Sequence, residues 1–184
     1  MSDEVPSLDA ALPATACPAP LAAGEAGEMW MEHAPRLLRA AIALGVSSDE
    51  APDVVQETLL AALRAFARFD PSRASVSVWM HAILVRRVAN WRRGRRRLTR
   101  FLASWKRRPP VATAAGHDAL VARLTLARLT RPLSHRQRTV LALIEVCGFS
   151  AAEVSTVLGV REATVRSHLR QARTVLRGQT RDRG

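Results

Sequence analysis

LSHRQRTVLALIEVCGFSAAEVSTVLGVREATVRSHLRQARTVL, residues 133–176, decides the fold of this chain. Ser134 with Gln137, and Ser150 with Glu153, have the spacing of a capping box, so a helix should begin at each serine. Glycines at 148 and 159 mark the ends of the two helices, because glycine adopts the left-handed conformation that closes a helix. The stretch therefore predicts three short helices, the last two joined by a sharp turn.

The last of these helices has two distinct faces. Val165, Leu169, Ala172 and Leu176 recur at helical spacing and should be buried. Arginine on the other face can pair with phosphate, and Arg, Ser and Thr can bond base edges. The outward set is Arg161, Glu162, Thr164, Arg166, Ser167, Arg170 and Arg173. The pattern favours a recognition helix in a DNA groove over a helical subdomain whose polar face only meets water.

The charge distribution also indicates a polyanionic partner. The chain carries a formal net charge of +12, and Lys106 is its one lysine among 28 basic residues. Residues 1–70 are net acidic, whereas residues 71–117 carry basic side chains and no acidic one. One part of the chain should therefore meet nucleic acid, while the acidic part should meet a different, possibly basic, protein surface.

Other classes of protein find little support in the sequence. No apolar run reaches the ~20 residues that span a bilayer, and no secretory signal is visible, so a cytoplasmic protein without membrane insertion is expected. Cys17 and Cys147 lie far apart, and the five histidines lack ligand spacing, which argues against a disulfide framework and a metal site. His168 should lie on the outer part of the recognition helix. No catalytic motif or cofactor site is visible, so the chain is not expected to be an enzyme.

Composition divides the chain into two small helical domains, which predicts an all-α fold. Residues 1–28, rich in Ala and Pro, should be a disordered leader, and residues 98–118 a basic flexible linker. The first domain then covers 29–97, the helix-turn-helix domain covers 119–178, and 179–184 form a tail.

The first domain should contain three helices. They are expected over Trp30–Ala43, after Pro52, and from about Ser77 into the basic run at 90–97. The charge density of that run should destabilise it as an isolated helix. On the second helix, the buried side should carry Val55, Leu59, Leu63 and Phe66. Its exposed strip should carry Asp53, Gln56, Glu57 and Leu60.

At this point the pattern resembles a known family. DVVQETLL (53–60), FDPSRASVSVWM (69–80), RRGRRR (92–97) and the helix-turn-helix at 148–173 together resemble the extracytoplasmic-function group of bacterial sigma factors. The resemblance covers about residues 29–97 and 120–177. It implies regions two and four of a sigma factor, joined without region three. It further implies a protein that binds core RNA polymerase, directs promoter recognition and assists promoter melting.

The resemblance also implies roles for particular residues. Polymerase binding on the clamp coiled coil of the largest subunit involves the exposed strip Asp53, Gln56, Glu57 and Leu60. The flap of the polymerase is a further implied contact. Residues matching those that contact the minus-ten element are Phe69, Asp70, Ser72, Arg73, Ser75, Ser77, Arg86, Arg87, Trp91, Arg92, Arg93, Arg95, Arg96 and Arg97. Residues matching those that face the minus-thirty-five element are Arg161, Glu162, Ala163, Thr164, Arg166, Ser167, Arg170 and Arg173. The family usually has an anti-sigma factor as a further partner.

Several assignments leave an alternative open. Asp53 is also an ordinary first-turn acid that the helix dipole stabilises. Trp79 is expected to be a core residue that fixes the minus-ten loop, and Trp91 either stacks on a base or packs on the core. The sequence departs from the family in having Leu59 and Leu63 where a large aromatic is common and Arg86 where asparagine is common.

Two other functions remain possible from the residues alone. A conventional helix-turn-helix regulator would bind palindromic duplex as a dimer without polymerase. A weaker hypothesis is an RNA-binding or nucleoid protein that uses the arginine block for salt-sensitive binding of low sequence specificity.

Overall fold

The computed structural model describes residues 23–104, 130 and 132–181. Within these ranges the chain is helical and contains no strand, which confirms the all-α prediction. The helices are α1 (Ala23–Ala43), α2 (Ala51–Ala65), α3 (Val76–Ser104), α4 (His135–Leu141), α5 (Ala151–Leu158) and α6 (Glu162–Arg181). A 3-10 turn (Phe66–Arg68) follows α2, and a π-helical turn (Ala142–Val146) follows α4. In the described residues no helix is long and apolar enough to cross a membrane.

Helices α1, α2 and α3 pack around one apolar core, the centre of the first module. Leu37 of α1, Leu59 of α2, and Met80 and Leu84 of α3 are fully buried there. Thr58 is buried among them without leaving its hydroxyl unsatisfied, because the hydroxyl donates a 2.7 Å hydrogen bond to the Val54 carbonyl. This packing fixes the rotation of α2 and turns its polar face outward.

The second module is built as the sequence predicts. Both capping boxes are present: the Ser134 hydroxyl accepts from the Gln137 N–H, and the Ser150 hydroxyl from the Glu153 N–H. Helix α5 ends at Gly159, whose φ of +64° is the left-handed conformation that closes a helix. Val154 and Val165 are fully buried on either side of that turn and hold α5 against α6.

Three helix boundaries differ from prediction. Helix α1 begins at Ala23, inside the predicted disordered leader, and its first turns contain two glutamates, a residue type that the N-terminal end of a helix favours. Helix α3 continues to Ser104, so residues 98–104 of the predicted flexible linker are helical. The charge density of α3 is partly neutralised, since Arg95 pairs with Glu50 across to the start of α2. The third difference is the π-helical turn after α4, which no sequence signal predicts.

Some predictions lie outside the described residues. They concern residues 1–22 of the leader, with Cys17, residues 105–129, with His117, and residues 182–184 of the tail.

The two modules pack directly against each other. Val78, in the first turn of α3, is 3% exposed and lies in one apolar cluster with Leu143, Phe149 and Val154 of the second module. Reciprocally, Ala142 belongs to the core of the first module. The free chain is therefore closed, with the start of α3 covered by the helix-turn-helix module.

Candidate nucleic-acid interface

The outward face of α2 is an acidic strip with one apolar member. Asp53, Gln56, Glu57 and Leu60 are all exposed, and Leu60, at 41%, is among the few large hydrophobic side chains that the described part of the chain leaves in solvent. Asp53 makes no ion pair with any described residue. The four side chains that the sequence assigns to this strip thus lie on one free surface.

A shallow cleft joins the strip to α3. It has a volume of about 290 Å³, and Asp53, Glu57, Arg87 and Trp91 contribute to its lining. The Arg87 guanidinium lies 3.9 Å from the Glu57 carboxylate across this cleft. The acidic strip and the basic helix are therefore neighbouring surfaces.

The loop between the 3-10 turn and α3 is shaped by Asp70. Its carboxylate accepts hydrogen bonds from the Ser72 hydroxyl (2.6 Å) and the Ser72 N–H (2.9 Å), which forms an Asx-turn. These two bonds lower the pKa of Asp70 below its ordinary value. Ser72, Arg73 and Ser75 are exposed around the turn, so the predicted minus-ten loop presents polar side chains on a fixed backbone.

Three aromatic rings support this loop. The Phe69 ring lies 5.8 Å from that of Phe66, nearly stacked, and 5.1 Å from that of Trp79. Trp79 meets Phe66 edge-on at 6.2 Å. Trp79 therefore supports the loop as predicted, and Phe69 is half-buried in the cluster rather than free. The sequence predicts Phe66 on the buried side of the second helix, but it is half-buried in the 3-10 turn and belongs to this cluster. The spacing of Phe66 and Phe69 by three residues is a usable signal for the cluster.

Much of the basic run on α3 has partners within the protein. Arg92 donates to the Leu44 carbonyl at the end of α1 and to His135 of the second module. Arg93 donates to Asn90. The Arg95 guanidinium lies 5.3 Å from the centre of the Trp91 ring, which itself packs on the core of the first module.

Only part of the run is open to a polyanion. Arg93, Arg95 and Arg97 are exposed, Arg86, Arg87 and Arg92 are half-buried, and the side chain of Arg96 lies outside the described residues. Trp91 could stack on a base or pack on the core, and in the structure its ring packs on the core of the first module.

Helix α6 presents the predicted recognition face. Its exposed members are Arg161, Ala163, Arg166, Arg170 and Arg173, with Glu162, Thr164 and Ser167 half-exposed among them. Two of the arginines are paired within the module, Arg166 with Glu162 at 2.6 Å and Arg173 with Glu145 at 2.7 Å.

The sequence predicts His168 on the outer part of this helix. The residue is half-exposed, as Ser167 is, although its Nδ1 atom is buried and has no hydrogen-bond partner among the described residues. Helix α6 packs on both α4 and α5, and that packing covers a wider sector than the four apolar positions suggest.

A second cleft, of about 400 Å³, lies between the modules. Arg36 and Arg39 of α1, Ser75 and Ser77 of the first module, and Cys147 and Glu153 of the second contribute to its lining. Burial raises the pKa of the Cys147 thiol to about 11, which makes it a poor nucleophile at neutral pH. In the described residues no group of three histidine, cysteine or carboxylate side chains could hold a metal ion.

Comparison with known proteins agrees with both modules. The Sigma-70 region 2 family matches residues 29–98, and the Sigma-70 region 4 family matches residues 123–176. The ECF RNA polymerase sigma factor SigL of Mycobacterium tuberculosis is 32% identical over 160 residues, which cover 85% of this chain and 90% of SigL. The ECF RNA polymerase sigma factor SigE of Mycolicibacterium smegmatis is also 32% identical, and the match spans 82% of this chain and 59% of that longer protein.

A solved structure has the same arrangement of helices. The structure of CnrH in complex with the cytosolic domain of CnrY superposes with a TM-score of 0.67 at 25% identity, covering 88% of this chain and 90% of that chain. The first module, with the acidic α2 strip and basic α3, matches region 2, and the helix-turn-helix module that follows matches region 4. The chain belongs to the extracytoplasmic-function (ECF) group of bacterial RNA polymerase sigma factors.

Proposed function

We propose that this chain binds core RNA polymerase, directs it to a two-part promoter and assists opening of the DNA, without being an enzyme itself. The observation that carries the proposal is that one chain presents a free acidic strip on α2 and a separate arginine-rich recognition face on α6. A protein that bound only DNA would have no use for the first surface. Because its partner is the polymerase, the chain would act in the cytoplasm.

The acidic strip is the proposed polymerase surface. Asp53, Gln56, Glu57 and Leu60 would contact the clamp coiled coil of the largest subunit. Asp53 has no ion pair to break, and Leu60 is already exposed, so binding a basic and apolar partner costs little rearrangement. The second module would contact the flap.

The minus-ten element would meet the Asp70 loop and the exposed arginines of α3. Extruding a base from the stack costs a few kcal/mol, so the protein must offer a preformed site for it. The Asx-turn and the aromatic cluster beneath it supply that fixed shape. Arg93 and Arg97 would then hold the phosphate backbone, since both are exposed.

The minus-thirty-five element would receive α6 in its major groove. Arg161 and Arg170 are exposed and make no ion pair with a described residue, so they are available to phosphate or guanine. Thr164 and Ser167 lie between them and can bond base edges. The Arg166–Glu162 pair lies on the same face and orients the Arg166 fork.

An anti-sigma protein is the proposed negative regulator. The related CnrH was solved with the cytosolic domain of CnrY bound to it. A protein of that kind would cover the polymerase and promoter surfaces of this chain at the same time.

The test is run-off transcription of fragmented genomic DNA by core RNA polymerase, with and without the purified chain, with transcript starts read by sequencing. New starts preceded by a shared two-part motif are expected. The double variant Asp53→Lys and Glu57→Lys should lose these starts and polymerase binding while keeping or strengthening binding to bare DNA. Glu32→Lys, which reverses an exposed charge on α1, is the matched control and should behave as wild type.

The alternative outcome is equally specific. Tight binding to palindromic duplex by the chain alone, with no new starts, would identify a conventional helix-turn-helix regulator instead. Equal activity of the double variant and of Glu32→Lys would remove the α2 strip from the proposal.

A further inference from the structure

The closed arrangement of the free chain conflicts with simultaneous use of both DNA surfaces. Val78 and Phe149 are buried in one apolar cluster, so the start of α3 packs against the helix-turn-helix module. Promoter elements centred about 35 and about 10 base pairs upstream of the start lie roughly 85 Å apart at 3.4 Å per base pair. The modules must separate before both elements are bound, and the contacts that hold them together control that step.

A histidine lies at the centre of this module interface. His81 of α3 is only 2% exposed, and its ring meets the Phe149 ring of the second module edge-on, with 4.7 Å between centroids. Its Nδ1 lies 2.7 Å from the Ser77 carbonyl oxygen, an acceptor, so Nδ1 carries the proton. The Nε2 atom is buried with no hydrogen-bond partner among the described residues. The closed chain therefore holds a neutral imidazole.

The surroundings of His81 do not favour an imidazolium ion. His33 and Arg36 of α1 act on it electrostatically, and Arg39 lines the same cleft. Glu153, across the cleft, has its carboxylate engaged by the N–H and the hydroxyl of Ser150. Burial lowers the pKa of His81 below its ordinary 6.5, the hydrogen bond to the Ser77 carbonyl partly offsets this, and the fields of His33 and Arg36 add to the lowering.

A second contact between the modules joins the Arg92 side chain of α3 to the His135 ring at the start of α4. His135 is exposed, so solvent screens this contact.

We propose that the closed state of the free chain is an acid-sensitive conformation, in which neutral His81 against Phe149 holds the modules together and protonation of His81 separates them. Opening exposes His81 to water, where its pKa returns toward 6.5. Closure is therefore fully favoured above that pH and weakens as the pH falls below it, toward the lower pKa of the closed state. This inference concerns the free chain and does not depend on polymerase binding.

Small-angle X-ray scattering of the full chain at about pH 7.5 and about pH 5.5 tests the proposal. The radius of gyration of wild type should increase at the lower pH, with helicity by circular dichroism unchanged. His81→Leu, which cannot titrate, should be compact at both pH values. Val78→Gln, which buries an unpaired amide at the interface but not in the core of the first module, should be expanded at both. His168→Gln, which removes a histidine of α6, should respond as wild type does.

Two results would overturn the proposal: a wild-type radius that does not change with pH, or a His81→Leu chain that expands at low pH as wild type does. Should His81→Leu fail to fold, NMR titration of the His81 ring replaces it. The His81 pKa should be higher in Val78→Gln than in wild type, because opening removes the burial that lowers it. Equal values in the two proteins would show that the module interface does not control this histidine.

Discussion

The Glu57 carboxylate lies 3.9 Å from the Arg87 guanidinium, an ion pair that links the acidic strip of α2 to the basic helix α3. Both side chains are well exposed, at 65% and 39%, so solvent screens the attraction. Arg87→Gln should therefore lower the free energy of unfolding by less than about 1 kcal/mol.

Urea denaturation followed by circular dichroism measures this change. Arg64→Gln, at an exposed arginine of α2, is the control and should have the same small effect. A loss above roughly 2 kcal/mol for Arg87→Gln alone would mean that the pair supports the fold rather than only joining two surfaces.

The turn of the helix-turn-helix should depend on Gly159. Open space surrounds this residue, but its φ of +64° is costly for any side chain, so Gly159→Ala should destabilise the protein by about 1–2 kcal/mol. A Cβ atom added at Gly178 of α6 would likewise meet nothing within 4 Å, and Gly178 does not have a positive φ. Gly178→Ala should therefore stabilise the protein by about 0.5–1 kcal/mol. Thermal unfolding of the two variants gives the comparison, and changes of the same sign would contradict it.

The Ser150 capping box should make stability depend on pH. Ser150→Ala should cost about 1 kcal/mol at neutral pH, because α5 loses its cap. The Ser150 N–H and, to a lesser extent, the Ser150 hydroxyl lower the pKa of Glu153 below 4.5. Ser150→Ala keeps the first bond and loses the second, whose contribution is present above that value and is lost as the pH falls through the lowered pKa.

The deficit of Ser150→Ala should accordingly shrink in acid. Ser134→Ala removes the other capping box, whose partner Gln137 does not titrate, so its deficit should stay constant with pH. Urea midpoints measured at a series of pH values distinguish the two. Parallel pH profiles for both variants would show that Glu153 is not the titrating group.

Substitutions in the aromatic cluster should affect stability and promoter opening differently. Trp79→Ala should cost about 2 kcal/mol, less than the 3–5 kcal/mol of a fully buried tryptophan, since Trp79 is half-buried. Phe69→Leu keeps the apolar contact with Phe66 but loses ring stacking, so it should retain most of the stability and impair DNA opening. Denaturation and permanganate footprinting of the melted region report the two effects, and normal opening by Phe69→Leu would restrict this ring to a structural role.

What the sequence could predict was local. The capping boxes at Ser134 and Ser150, the turn at Gly159 and the two faces of α2 depend on residues within a few positions of each other. Their outcome is decided by backbone geometry, and the structure agrees with all of them.

What the sequence could not predict depends on distant partners. Val78 lies near the start of α3, and its burial comes from residues of the second module far along the chain. The basic run of α3 looked unfavourable as a helix, because Glu50 and the Leu44 carbonyl, which accept from its arginines, lie more than forty residues earlier. The burial of the His168 Nδ1 atom is likewise a property of how α6 packs and not of its own periodicity.

The Val78–Phe149 contact has a kinetic consequence for encounter with any large partner. If the surfaces needed by that partner are available only after the modules part, the observed association rate will rise with partner concentration and then level off at the rate of parting. That plateau belongs to the chain and is the same for every partner that requires the parted form. The packing that buries Val78 between the modules thus limits the rate of association with every such partner to the same value.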